Sequence, residues 1–131
     1  MNIQLVGSIV DDLSLSKTSE PLGDMKFSLI TAFSEDSINT FAIIFNLKIQ
    51  VGKDRILTVK YISEFEADQD ITEEDRTSHF FFINAPAIAY PFLRAYIANF
   101  MLSSGFNPEI LPSINFVKLA KDKKQHEENV I

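Results

Sequence analysis

The chain has 131 residues, 46% hydrophobic and 23% charged, a composition that fits one globular domain and excludes a disordered chain. Twelve Lys and Arg against eighteen Asp and Glu leave a formal charge of -6, which excludes an electrostatic grip on nucleic-acid phosphates as the main activity. There is no cysteine, so disulfide and thiol chemistry are absent, as suits a reducing cytoplasm.

The opening stretch, "MNIQLVGSIVDD", has no basic n-region and too short an apolar run for a signal peptide. It predicts a strand broken by Gly7. The segment "KTSEPLGD" reads as a Pro/Gly loop, and "MKFSLITAF" after it puts Met25, Phe27, Leu29 and Phe33 on one face of a second strand. In "TFAIIFNLKIQVG" every odd position from Phe41 to Val51 is apolar, the period-two pattern of a half-buried strand. Gly52, Lys53 and Asp54 form a turn, and "RILTVKYISEFEA" repeats the pattern with Leu57, Val59, Tyr61 and Phe65. Four strands precede anything helical, which predicts the α+β class with an antiparallel sheet in a single domain, 1–131.

The run from Glu64 to Asp75 holds seven carboxylates and no basic residue. It reads either as a solvated loop or as a docking patch for a basic partner, with Glu73, Glu74 and Asp75 at its end. "SHFFFINAP" extends the sheet briefly before Asn84, the expected N-cap. From Ile83 to Phe106 the pattern is a helix that is apolar on nearly every side. Arg94 at its middle, with Pro86 and Pro91, argues against a membrane span. A helix apolar all round is buried on more than one side, and one small sheet covers only one. A second subunit is the expected cover, with Phe92, Arg94, Tyr96, Ile97, Phe100 and Met101 at the interface and Arg94 taking an interface ion pair. Gly105 stops the helix. "FNPEILPSINF" is an extended connection to a short last helix from about Asn115, and the polar tail from about 121 frays.

Catalytic vocabulary is sparse. His79 and His126 are the only histidines, no nucleophile elbow, P-loop or paired-His spacing is present, and the acidic run lacks the glycine-turned spacing of an EF-hand. The expectation is no enzyme, no metal and no cofactor. What the chain has is spare apolar face on which an extended polypeptide could lie. Each buried apolar side chain contributes roughly 1.5–3 kcal/mol against about 1–2 kcal/mol for ordering each bound residue, so useful affinity needs many contacts over several subunits.

"INAPAIAYPFLRAYIANFMLSSGFNPEILPSINF" resembles the C-terminal half of the SecB-type protein-export chaperones, through Pro91, Phe92, Arg94, Gly105, Pro112, Asn115 and Phe116. The resemblance implies a four-stranded antiparallel sheet with two helices, assembled as a dimer of dimers. It also implies ATP-independent holding of unfolded polypeptides in apolar grooves, for export. By the same resemblance the groove is lined by Met25, Phe27 and Leu29, by Leu57, Val59 and Tyr61, and by Phe106 and Ile110; the alternative is that the strand triples are core. The family's docking surface for the SecA motor corresponds to Asp12, Ser16, Ile56 and Thr58, of which only Asp12 keeps a carboxylate. That departure makes a SecB-like chaperone dedicated to an antitoxin or other single client the alternative within the family. A hot-dog thioesterase, whose long helix comes early in the chain, and a module for one folded partner are the alternatives outside it.

Overall fold

The computed structural model describes the backbone of residues 1–129 and the side chains of residues 1–122. Four strands, β1 (Ile3–Lys17), β2 (Lys26–Phe33), β3 (Thr40–Val51) and β4 (Arg55–Ala67), form one antiparallel sheet in the order β1-β4-β3-β2. The β3–β4 hairpin closes Val51 on Arg55 through a turn at Gly52, whose φ of +62° suits glycine. β1 and β2 lie at opposite edges, so residues 18–25 cross one end of the sheet. There Thr18 N–H donates to the Asp54 carbonyl at 2.7 Å, and Leu22 N–H donates to Gln50 Oε1 at 2.8 Å.

Helix α1 (Ala85–Ser103) and helix α2 (Phe116–Asn129) follow the sheet. The tail from about 121, expected to fray, falls within α2 and past its end; the side chains from 123 onward, His126 among them, and residues 130 and 131 lie outside the described residues. α1 buries Ala85, Ala89, Leu93, Ile97 and Met101, a stripe with four-residue spacing that lies along one helix face. Opposite it, the odd positions of β3 from Phe41 to Val51 and of β4 from Leu57 to Phe65 are buried, as the period-two pattern predicts. By length and composition Phe80–Ser103 could cross a membrane; here its apolar stripe is spent on the sheet.

Three local expectations are corrected. β1 is not broken at Gly7, because register shifts at Leu5/Gly7 and Val10/Asp12 absorb one extra residue each as β-bulges while pairing with β4 continues. "FFFIN" is not a strand: Phe80–Asn84 is a π-helical turn leading into α1. Burial of Phe81, edge-on to Phe41 at 4.9 Å and Phe33 at 5.3 Å, pins it onto the sheet face. Asn84 is therefore no N-cap; its backbone is helical and its side chain makes no capping bond.

Because the Leu93 side chain is fully enclosed, Leu93→Ala should destabilise the fold by about 2–5 kcal/mol, read as a lowered urea midpoint.

Candidate binding groove

The end of α1 sets the geometry of the connection after it. Phe106 N–H donates to the Met101 carbonyl at 2.9 Å and Gly105 N–H to the Leu102 carbonyl at 3.2 Å, with Gly105 at φ +89°. This is a Schellman motif, and it turns the Phe106 ring back towards the β3–β4 turn. A Cβ on Gly52 would meet that ring at 3.9 Å, and the Arg55 guanidinium lies over it at 5.6 Å. The connection is then tied down at two points. Glu109 N–H points at Met101 Sδ at 3.3 Å, and the Tyr90 hydroxyl donates to the Pro112 carbonyl at 2.6 Å.

Held this way, the connection faces the crossover and the start of β2 across a depression of about 170 Å³. Met25 and Ile49 line one side and Ile110, Leu111 and Pro112 the other. Ile110 is 79% exposed, an unusual position for an isoleucine held by a tethered backbone. Along β2, Phe27 and Leu29 are half-buried, and Phe27 packs edge-on to Tyr90 at 5.7 Å. Met25, Phe27, Leu29 and Ile110 thus form one partly open apolar strip, with Phe106 half-buried at the end where the connection begins.

The β4 candidates lie elsewhere. Leu57 and Val59 are enclosed beneath α1, and Tyr61 is 7% exposed. The Tyr61 ring stacks on Tyr96 at 5.8 Å, and Tyr96 on Phe100 at 6.2 Å. Of the candidate interface residues, Ile97 and Met101 belong to the chain's own core, whereas Phe92 is 54% exposed. Arg94 is half-buried over the Tyr90 ring at 5.9 Å. Ile88 and Leu102 are also exposed and share the face of Phe92. Sequence reasoning passed over them, although Ile88, Phe92, Ala95, Asn99 and Leu102 have the 4-3-4-3 spacing of a helix-pairing seam.

The candidate docking residues are scattered. Asp12 sits on β1 opposite Lys60 in register. Glu73 and Asp75 lie beyond the end of β4, where Glu73 approaches Arg76 at 3.9 Å and Asp75 Oδ2 accepts from Thr72 N–H at 2.9 Å; Glu74 between them is exposed, as is His79.

The chain matches the family model for "Preprotein translocase subunit SecB" over residues 8–127. It belongs to the SecB family. A curated relative, the protein-export protein SecB of Anaplasma phagocytophilum, is 37% identical over 75 residues, 56% of this chain and 46% of that protein. The match thus spans less than half of that relative's length. Among solved structures, a SecB-like chaperone from Mycobacterium tuberculosis, determined in complex with a ChAD peptide from the HigA1 antitoxin, superposes with a TM-score of 0.64 at 15% identity, covering 86% of this chain and 88% of that one. A protein of unknown function from Streptococcus agalactiae gives a TM-score of 0.53 at 11% identity, covering 86% and 98%. Both likenesses are of fold, and they agree with the SecB-like sheet and two helices expected from the sequence.

Two phenols, one in the groove and one outside it, ionise less readily than usual. Burial pushes the Tyr90 hydroxyl above its ordinary value of 10.0, with nearby Arg94 opposing. Burial also raises Tyr96, helped by Tyr61. Since ionisation is harder in the fold than in the unfolded chain, this contribution to stability is full below pH 10.0 and is lost as pH rises above it. Melting temperature should therefore fall above that pH, and less steeply in Tyr96→Phe; equal slopes in the two proteins would remove Tyr96 from the account.

Proposed function

We propose that the chain is an ATP-independent holdase of the cytoplasm that binds unfolded polypeptides along the β2 strip and keeps preproteins competent for export. The observation that carries this reading is the exposed Ile110, fixed by the Tyr90–Pro112 hydrogen bond across a depression from Met25. A tethered apolar rim beside a half-covered strand suits an extended client whose side chains alternate into the strip. Family membership supports the same reading, as does the similarity to the protein-export protein SecB of Anaplasma phagocytophilum.

The reading is of a binding protein and needs no catalytic group. Among the described residues no cluster of His, Asp or Glu is grouped to hold a metal. Leu57, Val59 and Tyr61 act in this proposal as the floor that sets the strip's shape, since α1 already covers them. Assembly as a dimer of dimers is part of the proposal. The outward seam of α1 through Ile88, Phe92 and Leu102 offers the apolar surface, and Arg94, Tyr96 and Phe100 flank it. Several strips on one particle would then engage a single client and raise its apparent affinity.

A dedicated client, such as an antitoxin, is the second reading. It is favoured by the outer sheet face, where Ser16, Ile56 and Thr58 stand at positions that match the family's motor-docking surface. Docking of the SecA motor would then fall to Asp12 and to Glu73, Glu74 and Asp75.

Replacing Met25 and Ile110 together by Ser should weaken binding of a permanently unfolded polypeptide by about tenfold, the effect of roughly 1.4 kcal/mol, with little change in the urea midpoint. Undiminished affinity would overturn the assignment of the strip. Failure of the unsubstituted protein to retard aggregation of several unrelated unfolded proteins would favour the dedicated client.

A further inference from the structure

The sheet face turned away from α1 carries a pattern that client holding does not use. Across the four strands, Ile9 pairs with Ile62, Ile62 with Ile44, and Ile44 with Ile30, so one isoleucine from every strand stands in a single row. Ile9 and Ile30 are 59% and 52% exposed. No described element packs over this row, although apolar side chains on the outer face of a sheet are ordinarily broken up by polar ones.

Beside the row is a depression of about 300 Å³, with Ser28, Asn46, Thr58 and the lone carboxylate Asp12 in its lining and Lys26, Lys48 and Lys60 around it. Lys26 and Lys48 stand directly opposite each other on β2 and β3, an arrangement of like charges that destabilises a sheet. Lys60 reaches Asp11 at 3.4 Å, but neither Lys26 nor Lys48 has a carboxylate partner among the described residues. In a chain with eighteen acidic and twelve basic residues, this is a local reversal of sign. On the far side of the isoleucine row the face is acidic, through Glu64 and Glu66.

We propose that this outer face docks an acidic amphipathic segment of another protein, its apolar side chains on the isoleucine row and its carboxylates at Lys26 and Lys48. The lysine pair then loses its repulsion on binding, so the cost built into the free sheet favours the complex. Glu64 and Glu66 fix the orientation, since they repel the segment's carboxylate edge if it lies the other way round. The face is separate from the client strip, on the opposite side of the sheet.

The test is titration calorimetry of the full chain with a synthetic helical peptide bearing a Leu stripe edged by Glu, beside the same peptide with Lys for Glu. The expected result is binding of the Glu peptide only, weakened by salt, reduced roughly tenfold or more in Lys26→Glu/Lys48→Glu, and retained in Met25→Ser/Ile110→Ser. Equal binding of both peptides, indifference to the lysine substitutions, or displacement by a permanently unfolded polypeptide would overturn the proposal. Light scattering closes the remaining route. A particle mass that falls on lysine substitution would assign the face to a second copy of the chain and overturn it too.

Discussion

One helix faces four strands and is too narrow to cover them, and the rest of the molecule follows from that mismatch. An α-helix with its side chains is about 10–12 Å across, and strands lie about 4.8 Å apart, so α1 can roof about two of them. It lies over the interior strands β3 and β4, whose inward apolar residues are enclosed from Phe41 to Val51 and from Leu57 to Phe65. The inward residues of the edge strands, such as Leu13 and Leu15 on β1, Phe27 and Leu29 on β2 and Met25 just before it, stay half-covered. Core and open apolar strips are therefore consequences of a single packing arrangement.

The two open flanks differ in their furniture. On the β2 side the interhelix connection runs alongside the strand, held by Tyr90 and the Schellman turn, and Ile110 stands at the rim. On the β1 side the neighbour is the flank of α1, where Tyr96 and Phe100 continue the stack that begins at Tyr61. The first is a slot with two walls; the second is an open apolar slope beside the exposed seam of α1. On the proposed reading the slot takes a flexible chain and the slope a rigid helix or sheet. The outer face of the sheet has neither wall nor roof, and its lysines and isoleucines distinguish it from both.

Much of this was legible in the sequence because strand faces announce themselves by parity. The odd positions of β3 and β4 were read correctly, and so were the turn at Gly52 and the stop at Gly105, where backbone conformation demands glycine. Parity cannot say which strands are interior. Leu57 and Phe27 carry the same signal, yet strand order puts Leu57 under the helix and leaves Phe27 at its margin. The Phe80–Phe82 run read as a strand because aromatic residues favour sheets; packing of Phe81 against Phe33 and Phe41 decided for a helical turn instead. The seam through Ile88 and Leu102 stayed hidden for a related reason. In a helix apolar on nearly every side, the buried stripe can be told from the exposed one only once the sheet beneath it is known.

The most direct test is thiol alkylation with and without a permanently unfolded polypeptide, made simple by the absence of native cysteine. Single substitutions Met25→Cys and Ile110→Cys report on the strip, and Val6→Cys, at an exposed bulge residue of β1, reports on a surface outside it. The account predicts that the client slows alkylation at 25 and 110 and leaves position 6 unchanged. Equal protection at all three positions, or none at 25 and 110 when the client is bound, would contradict it.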